Sequence, residues 1–107
     1  MIGMNEFKKV ELKIGEILSA EDHPNADNLI ILRVDVGEEK PRTLVAGLKG
    51  HYDMDELAGK KVPVVTNLEP ARLRGVESRG MLLAAQDGDT VSLLTVDKDV
   101  AAGSAVL

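Results

Sequence analysis

Asp53-Met54-Asp55-Glu56-Leu57-Ala58-Gly59 is the stretch on which the fold turns. Asp53 can cap a helix, Glu56 sits three residues on where it can reach back, and Gly59 supplies a stop, so the spacing predicts one short helix. A helix of about one and a half turns cannot stand alone in water, so it must plug or cover something. Upstream of it the chain reads as strands. Val10, Leu12 and Ile14 alternate with Glu11 and Lys13, the period of a half-buried strand. Gly15 then breaks the phase before Ile17 and Leu18, which predicts a bulge or sharp bend that tilts the strand into a second sheet. Asp22-His23-Pro24-Asn25-Ala26-Asp27-Asn28 is a loop by composition. Leu29 to Val36, ended by Gly37, is a second strand, and Glu38-Glu39-Lys40-Pro41 turns the chain into a third, Arg42 to Ala46.

Downstream, Lys61 to Thr66 predicts a fourth strand, whose Pro63 argues for an edge or a bulge. Asn67 to Arg79 reads as a long polar loop. Met81 to Ala85 and Val91 to Val96 read as a fifth and a sixth strand, and Ala105 to Leu107 as a last short one. A sandwich fits this pattern of strands. The single helix between the third and fourth strands favours instead a small closed barrel of the oligonucleotide/oligosaccharide-binding (OB) type. The expected fold class is therefore all-β, a five-stranded OB barrel with one short helix and C-terminal strand extensions used in dimerisation. One domain fills residues 1–107, with the barrel over about 8–86 and the extension over 87–107.

Composition narrows the function. The chain has 107 residues, 44% apolar and 29% charged, as in a globular protein rather than a disordered one. No apolar run is long enough to span a bilayer, and Met1 to Glu6 lacks the basic flank of a signal peptide, so neither membrane insertion nor secretion is expected. Cysteine is absent, which fits a cytoplasmic location and removes thiolate chemistry. The net charge of −5 is uneven: residues 1–39 carry −5, residues 40–79 carry +3 and residues 80–107 carry −3. One basic face on an acidic body can still engage phosphate, although a solvated mixed surface is the commoner meaning of such a segment.

Catalysis finds no support. His23 and His51 lie in loops without a second histidine at helical spacing, and a metal at His23 and Asp27 is a poorer reading than a hydrogen-bonded turn. Ser19, Ser78, Ser92 and Ser104 lack a nucleophile-elbow context. No enzyme activity, cofactor or metal is expected. Gly47-Leu48-Lys49-Gly50 matches a GxxG clamp but follows a strand, so it reads as a strand-ending turn. Phe7, expected to be buried, and Tyr52 are the only aromatic residues, so base stacking by a general single-strand binder is disfavoured. The strongest candidate is Asn67-Leu68-Glu69-Pro70-Ala71-Arg72-Leu73-Arg74-Gly75-Val76-Glu77-Ser78-Arg79-Gly80-Met81, whose three arginines present planar forks suited to phosphate oxygens. On composition alone, the plainer reading is an exposed loop whose arginines pair with Glu69 and Glu77.

This loop belongs to an ordered series of motifs. His23-Pro24-Asn25-Ala26-Asp27-Asn28-Leu29, Val34-Asp35-Val36-Gly37, Arg42-Thr43-Leu44-Val45-Ala46-Gly47-Leu48 and Asn67-Leu68-x-Pro70 through Gly80-Met81 run in register over nearly the whole chain. Together they resemble the structure-specific tRNA-binding domain family. That module occurs as a free protein, at the C-terminus of many methionyl-tRNA synthetases and in the endothelial monocyte-activating polypeptide. The resemblance implies an OB barrel that recognises the folded shape of tRNA without catalysis and helps an aminoacyl-tRNA synthetase, methionyl above all, to capture or retain it.

Carried over position by position, the resemblance implies that Arg72 and Arg74 take phosphates and that Asn67 and Ser78 hydrogen-bond sugar or phosphate. Arg42 and Arg33 become flanking contacts. Asn25 either touches RNA or shapes its loop, with the loop role favoured, and Met81 either packs on RNA or, more commonly for such a residue, fills the barrel end. Many relatives carry lysine where this chain has Asn28 and a basic residue where it has Glu69, losses that weaken phosphate affinity. Free members of the family are two-fold dimers built through the chain ends, so a homodimer is expected. The rival readings are a chaperone or protein-interaction dimer on the same barrel, and a purely structural subunit of a synthetase complex.

Overall fold

A computed structural model describes residues 1–107. Its elements are α1 (Met4–Phe7), β1 (Leu12–Asp22), β2 (Ile30–Asp35), β3 (Arg42–Ala46), α2 (Met54–Leu57) and β4 (Lys61–Val65), followed by β5 (Ala71–Leu73), β6 (Val76–Ser78), β7 (Met81–Leu82), β8 (Ala84–Asp87) and β9 (Thr90–Leu93). The antiparallel sheet runs in the order β3-β2-β1-β4-β7. β3 then meets β6 and β7, and the sheet curls into a nearly closed five-stranded barrel, the OB architecture.

β1 makes this curl possible because it serves two neighbours in turn. Its first half, Leu12 to Glu16, pairs with β4, and its second half, Glu16 to Asp22, pairs with β2. The bulge falls between Ile17 and Ser19, one turn of pleat beyond the phase break at Gly15. Gly15 has a different task. A Cβ there would lie 2.6 Å from Val34 Cγ1 and 3.0 Å from Val64 Cγ2, so the absent side chain lets β1 press into the core where it changes partners.

Ile17, Ile30, Leu32, Val34, Leu44, Val62 and Val64 fill the barrel. Leu57 of α2 is fully buried among them. Burial of that one leucine contributes roughly 1.5–3 kcal/mol, which is why a four-residue helix persists here. Its N-terminus is tied by Glu56 Oε1, which accepts from the Asp53 amide at 2.7 Å. Gly47 to Gly50 forms the turn that ends β3, with Leu48 buried.

Pro63 sits within the sheet without costing a β1–β4 hydrogen bond. Opposite it, Ile14 turns its polar groups the other way, donating to Ser104 O (2.8 Å) and accepting from Gly103 N (2.7 Å). Val106 N adds a bond to Leu12 O at 3.1 Å, and Lys13 bridges to Ala105. The C-terminal tail thus covers the side of β1 that β2 leaves free.

Several expectations need correction. Residues 67–79 are not one long loop: β5 and β6 form a hairpin within them. The fifth strand is split at Leu83 into β7 and β8, and the sixth ends at Leu93, forming a ribbon with β8. Phe7 is not buried but 48% exposed, on a helical turn that its local sequence did not announce. No helix is long and apolar enough to cross a membrane.

Candidate nucleic-acid interface

The β5–β6 hairpin projects from the barrel between β4 and β7, joined by the two-residue turn Arg74-Gly75. Both turn residues have positive φ, 52° and 90°, as a turn matched to strand twist requires. Arg74 is the one non-glycine residue in this region, a position that asparagine or glycine would occupy at lower backbone cost. Residues 71–75 are exposed throughout. Arg72 has no carboxylate partner and donates only to Gly75 O at 3.1 Å, and Arg74 is likewise unpaired. The expected pairing with Glu69 and Glu77 survives only as a loose Arg79–Glu77 approach of 3.9 Å, so the two guanidinium groups at the tip have no carboxylate partner.

Three of the polar residues expected to touch RNA make hydrogen bonds that anchor this hairpin. Ser78 is only 5% exposed; its Oγ accepts from Val45 N at 3.0 Å and donates to Gly80 O at 3.2 Å, which binds β6 to β3. Asn67 spends its whole amide on the N-terminal segment, with Oδ1 accepting from Glu11 N (2.8 Å) and Nδ2 donating to Lys9 O (2.6 Å). Arg42 donates to Glu38 through two nitrogens at 2.7 Å, and its Nη1 also donates to Thr66 O (2.6 Å) and Arg79 O (3.1 Å). One guanidinium therefore clamps both ends of the 66–79 excursion, and its side chain is 18% exposed. In this geometry Arg42, Asn67 and Ser78 hold the root of the arginine-bearing hairpin in place.

Arg33 and Arg42 do not share a face. Arg33 pairs across β2–β3 with Thr43, one residue from Arg42, so the pleat sends the two arginines to opposite faces. Arg33 is exposed on the outer face. Asn25 is exposed, and its amide donates to His23 Nδ1 at 3.0 Å, the loop-shaping role. Met81 does not fill the barrel end: it is 50% exposed at the start of β7, two residues past the Arg79 root. Tyr52 packs against the core and its hydroxyl accepts from Leu93 N at 3.0 Å.

The hydrogen bond from Arg42, reinforced by its charge, holds the Glu38 carboxyl below the ordinary glutamate range and raises Arg42 above its usual value. Since the folded-state value lies below the unfolded one, the stabilisation is complete above the unfolded glutamate pKa, roughly 4.3, and is lost as pH falls through the folded value. Glu38→Gln should therefore flatten the acid limb of a Tm-against-pH curve below about pH 4.3. An acid limb unchanged from the parent would show that the pair adds nothing to stability.

A small OB barrel carrying an anchored, arginine-tipped hairpin defines a binding module of the nucleic-acid-recognising kind. The chain belongs to the family described as "Putative tRNA binding domain", whose model matches residues 12–105. It is 54% identical over 105 residues to the methionine–tRNA ligase of Pyrococcus furiosus and 52% identical over 106 residues to that of Methanocaldococcus jannaschii, each match covering 98% of this chain. The chain spans only 14% and 16% of those two proteins.

Among solved structures, a MetRS-related protein from Pyrococcus horikoshii superposes with a TM-score of 0.91 at 38% identity, covering 100% of this chain and 98% of its own. The chaperone CsaA from Bacillus anthracis gives 0.89 at 26% identity, covering 100% and 99%. The family is one of noncatalytic binding domains.

Proposed function

We propose that this chain binds tRNA by shape and backbone contacts, without catalysis, and delivers tRNA to, or retains it for, an aminoacyl-tRNA synthetase of the methionyl type. The carrying observation is the pair of carboxylate-free guanidinium groups of Arg72 and Arg74 on a hairpin fixed at its root. Planar forks of this kind suit phosphate oxygens, and an overall charge of −5 confines attraction for a polyanion to that local face. Arg33 on the outer face and Met81 beside the hairpin are flanking contacts, and Asn25 borders the site through its loop. A tethered or associated module of this sort raises the local concentration of tRNA at the synthetase.

The chain acts as a homodimer. Support comes from an apolar groove lined by Val45, Ala46, Leu48, Met81, Leu82 and Val91, next to the fully exposed strand β8. Exposed Met1, Ile2, Met4 and Leu107 add apolar surface at the chain ends. The same groove and the whole-length likeness to a chaperone favour a second reading, a protein-interaction dimer.

Sedimentation of the chain with labelled tRNA over a salt series reads both points at once. The expected result is a free species of twice the 11.5 kDa chain mass, and an affinity that falls with salt and is similar for different tRNAs. Absence of binding at the lowest salt overturns the tRNA reading in favour of the protein-interaction one. A species of 11.5 kDa alone overturns the dimer.

A further inference from the structure

His23 is a buried titratable side chain that the proposed contacts with RNA leave unused. It lies in the β1–β2 loop, is only 5% exposed, and has both ring nitrogens engaged. Nδ1 accepts from the Asn25 amide at 3.0 Å, so it carries no proton, and Nε2 must carry the proton it donates to Leu73 O at 2.9 Å. A single neutral tautomer satisfies both bonds. Leu73 is the residue between the two free arginines, and residues 71–75 bury no side chain of their own. The root of the hairpin is gripped by Arg42 and Ser78, whereas its tip is gripped from a loop fifty residues away in sequence.

We propose that His23 is a positioning residue for tRNA binding: its imidazole latches the hairpin tip to the β1–β2 loop and fixes Arg72 and Arg74 in place before the RNA arrives. The inference rests on the tRNA-binding reading above. Its physical content is pre-organisation. A hairpin of two three-residue strands with an exposed tip is marginal by itself, and without the latch its ordering cost falls on the binding step. His23 touches no phosphate in this scheme, so it controls affinity without changing the number of counterions released.

Two substitutions separate the two nitrogens. His23→Asn can keep an acceptor near the Nδ1 position and loses the donor to Leu73. His23→Gln can keep a donor near the Nε2 position and loses the acceptor for Asn25. His23→Asn should weaken tRNA binding about tenfold with the slope of log affinity against log salt unchanged, while His23→Gln stays within about threefold of the parent.

Amide hydrogen exchange of residues 72–77, measured without RNA, should accelerate in His23→Asn and not in His23→Gln. Equal affinity in all three proteins, the reverse order of the two variants, or a shallower salt slope in His23→Asn overturns the latch. So does weakening in both variants that merely tracks a fall in Tm. Failure of the parent to bind tRNA is a separate result that removes the tRNA reading and the latch's role in it together.

Discussion

Replacing Arg72 and Arg74 together by glutamate is expected to lower tRNA affinity roughly a hundredfold or more at low salt, with little change in Tm. Each guanidinium stands clear of carboxylates, so neither leaves a buried partner unpaired when it is replaced. The same double variant should show a salt slope shallower by about 1.5, since each lost phosphate contact removes about 0.7–0.9 of released counterion. Arg74→Gly sharpens the test. It relieves a non-glycine residue held at φ 52° in the hairpin turn, so it should leave Tm equal or slightly raised while it weakens binding. Stability and affinity moving in opposite directions at one residue is the mark of backbone strain kept for a contact. If the double variant binds within about threefold of the parent with the parent's salt slope, the hairpin does not touch the RNA.

The experiment matters because the sequence locates the arginine-bearing stretch but does not show which of its neighbours are engaged within the fold. β3 falls at Arg42–Ala46, as its β-branched run requires, and α2 lies between Asp53 and Gly59, where local capping chemistry dictates its ends. Both readings depend on residues a few positions apart. The β5–β6 hairpin is hidden because its strands have three residues each, with β5 wholly exposed and β6 burying only the polar Ser78, which leaves no apolar alternation to detect. The Arg74-Gly75 pair between Leu73 and Val76 was the available signal.

Asn67, Ser78 and Arg42 sit in or beside a basic segment and carry good donors, so they read as ligands. Their partners lie far along the chain: Glu11 and Lys9 for Asn67, Val45 for Ser78, Thr66 and Arg79 for Arg42. Where a polar side chain is spent is decided by tertiary closure, which no local spacing reports. His23 shows the converse. Its turn role beside Pro24 was legible, whereas its second nitrogen finds Leu73 only once the barrel has formed.

Closure also decides where the fold is least tolerant. Gly37→Ala is expected to cost about 3 kcal/mol, a fall in Tm on the order of 15 °C. Gly37 follows β2 at φ +84°, where its amide donates to Asp35 Oδ1 at 2.8 Å. A Cβ at this position would lie 2.8 Å from Gly103 Cα and 3.2 Å from Ala102 O. Both obstacles are backbone, and Gly103 itself has φ +90°, and a Cβ built on it would in turn lie 2.8 Å from Gly37 Cα, so no side chain can swing aside to relieve the clash. The tail must move instead. Its departure would strip Ile14 and Leu12 of their bonds to Gly103, Ser104 and Val106 and expose the free edge of β1.

Gly59→Ala supplies the comparison. Gly59 has a similar φ of +91° but open space around it, so it should show only the backbone cost, about 1–2 kcal/mol. Hydrogen exchange at Ile14, Gly103 and Val106 should accelerate in Gly37→Ala and stay at the parent's rate in Gly59→Ala. If the two variants lose the same stability, steric contact with Gly103 contributes nothing and the tail is not seated on the β2–β3 turn.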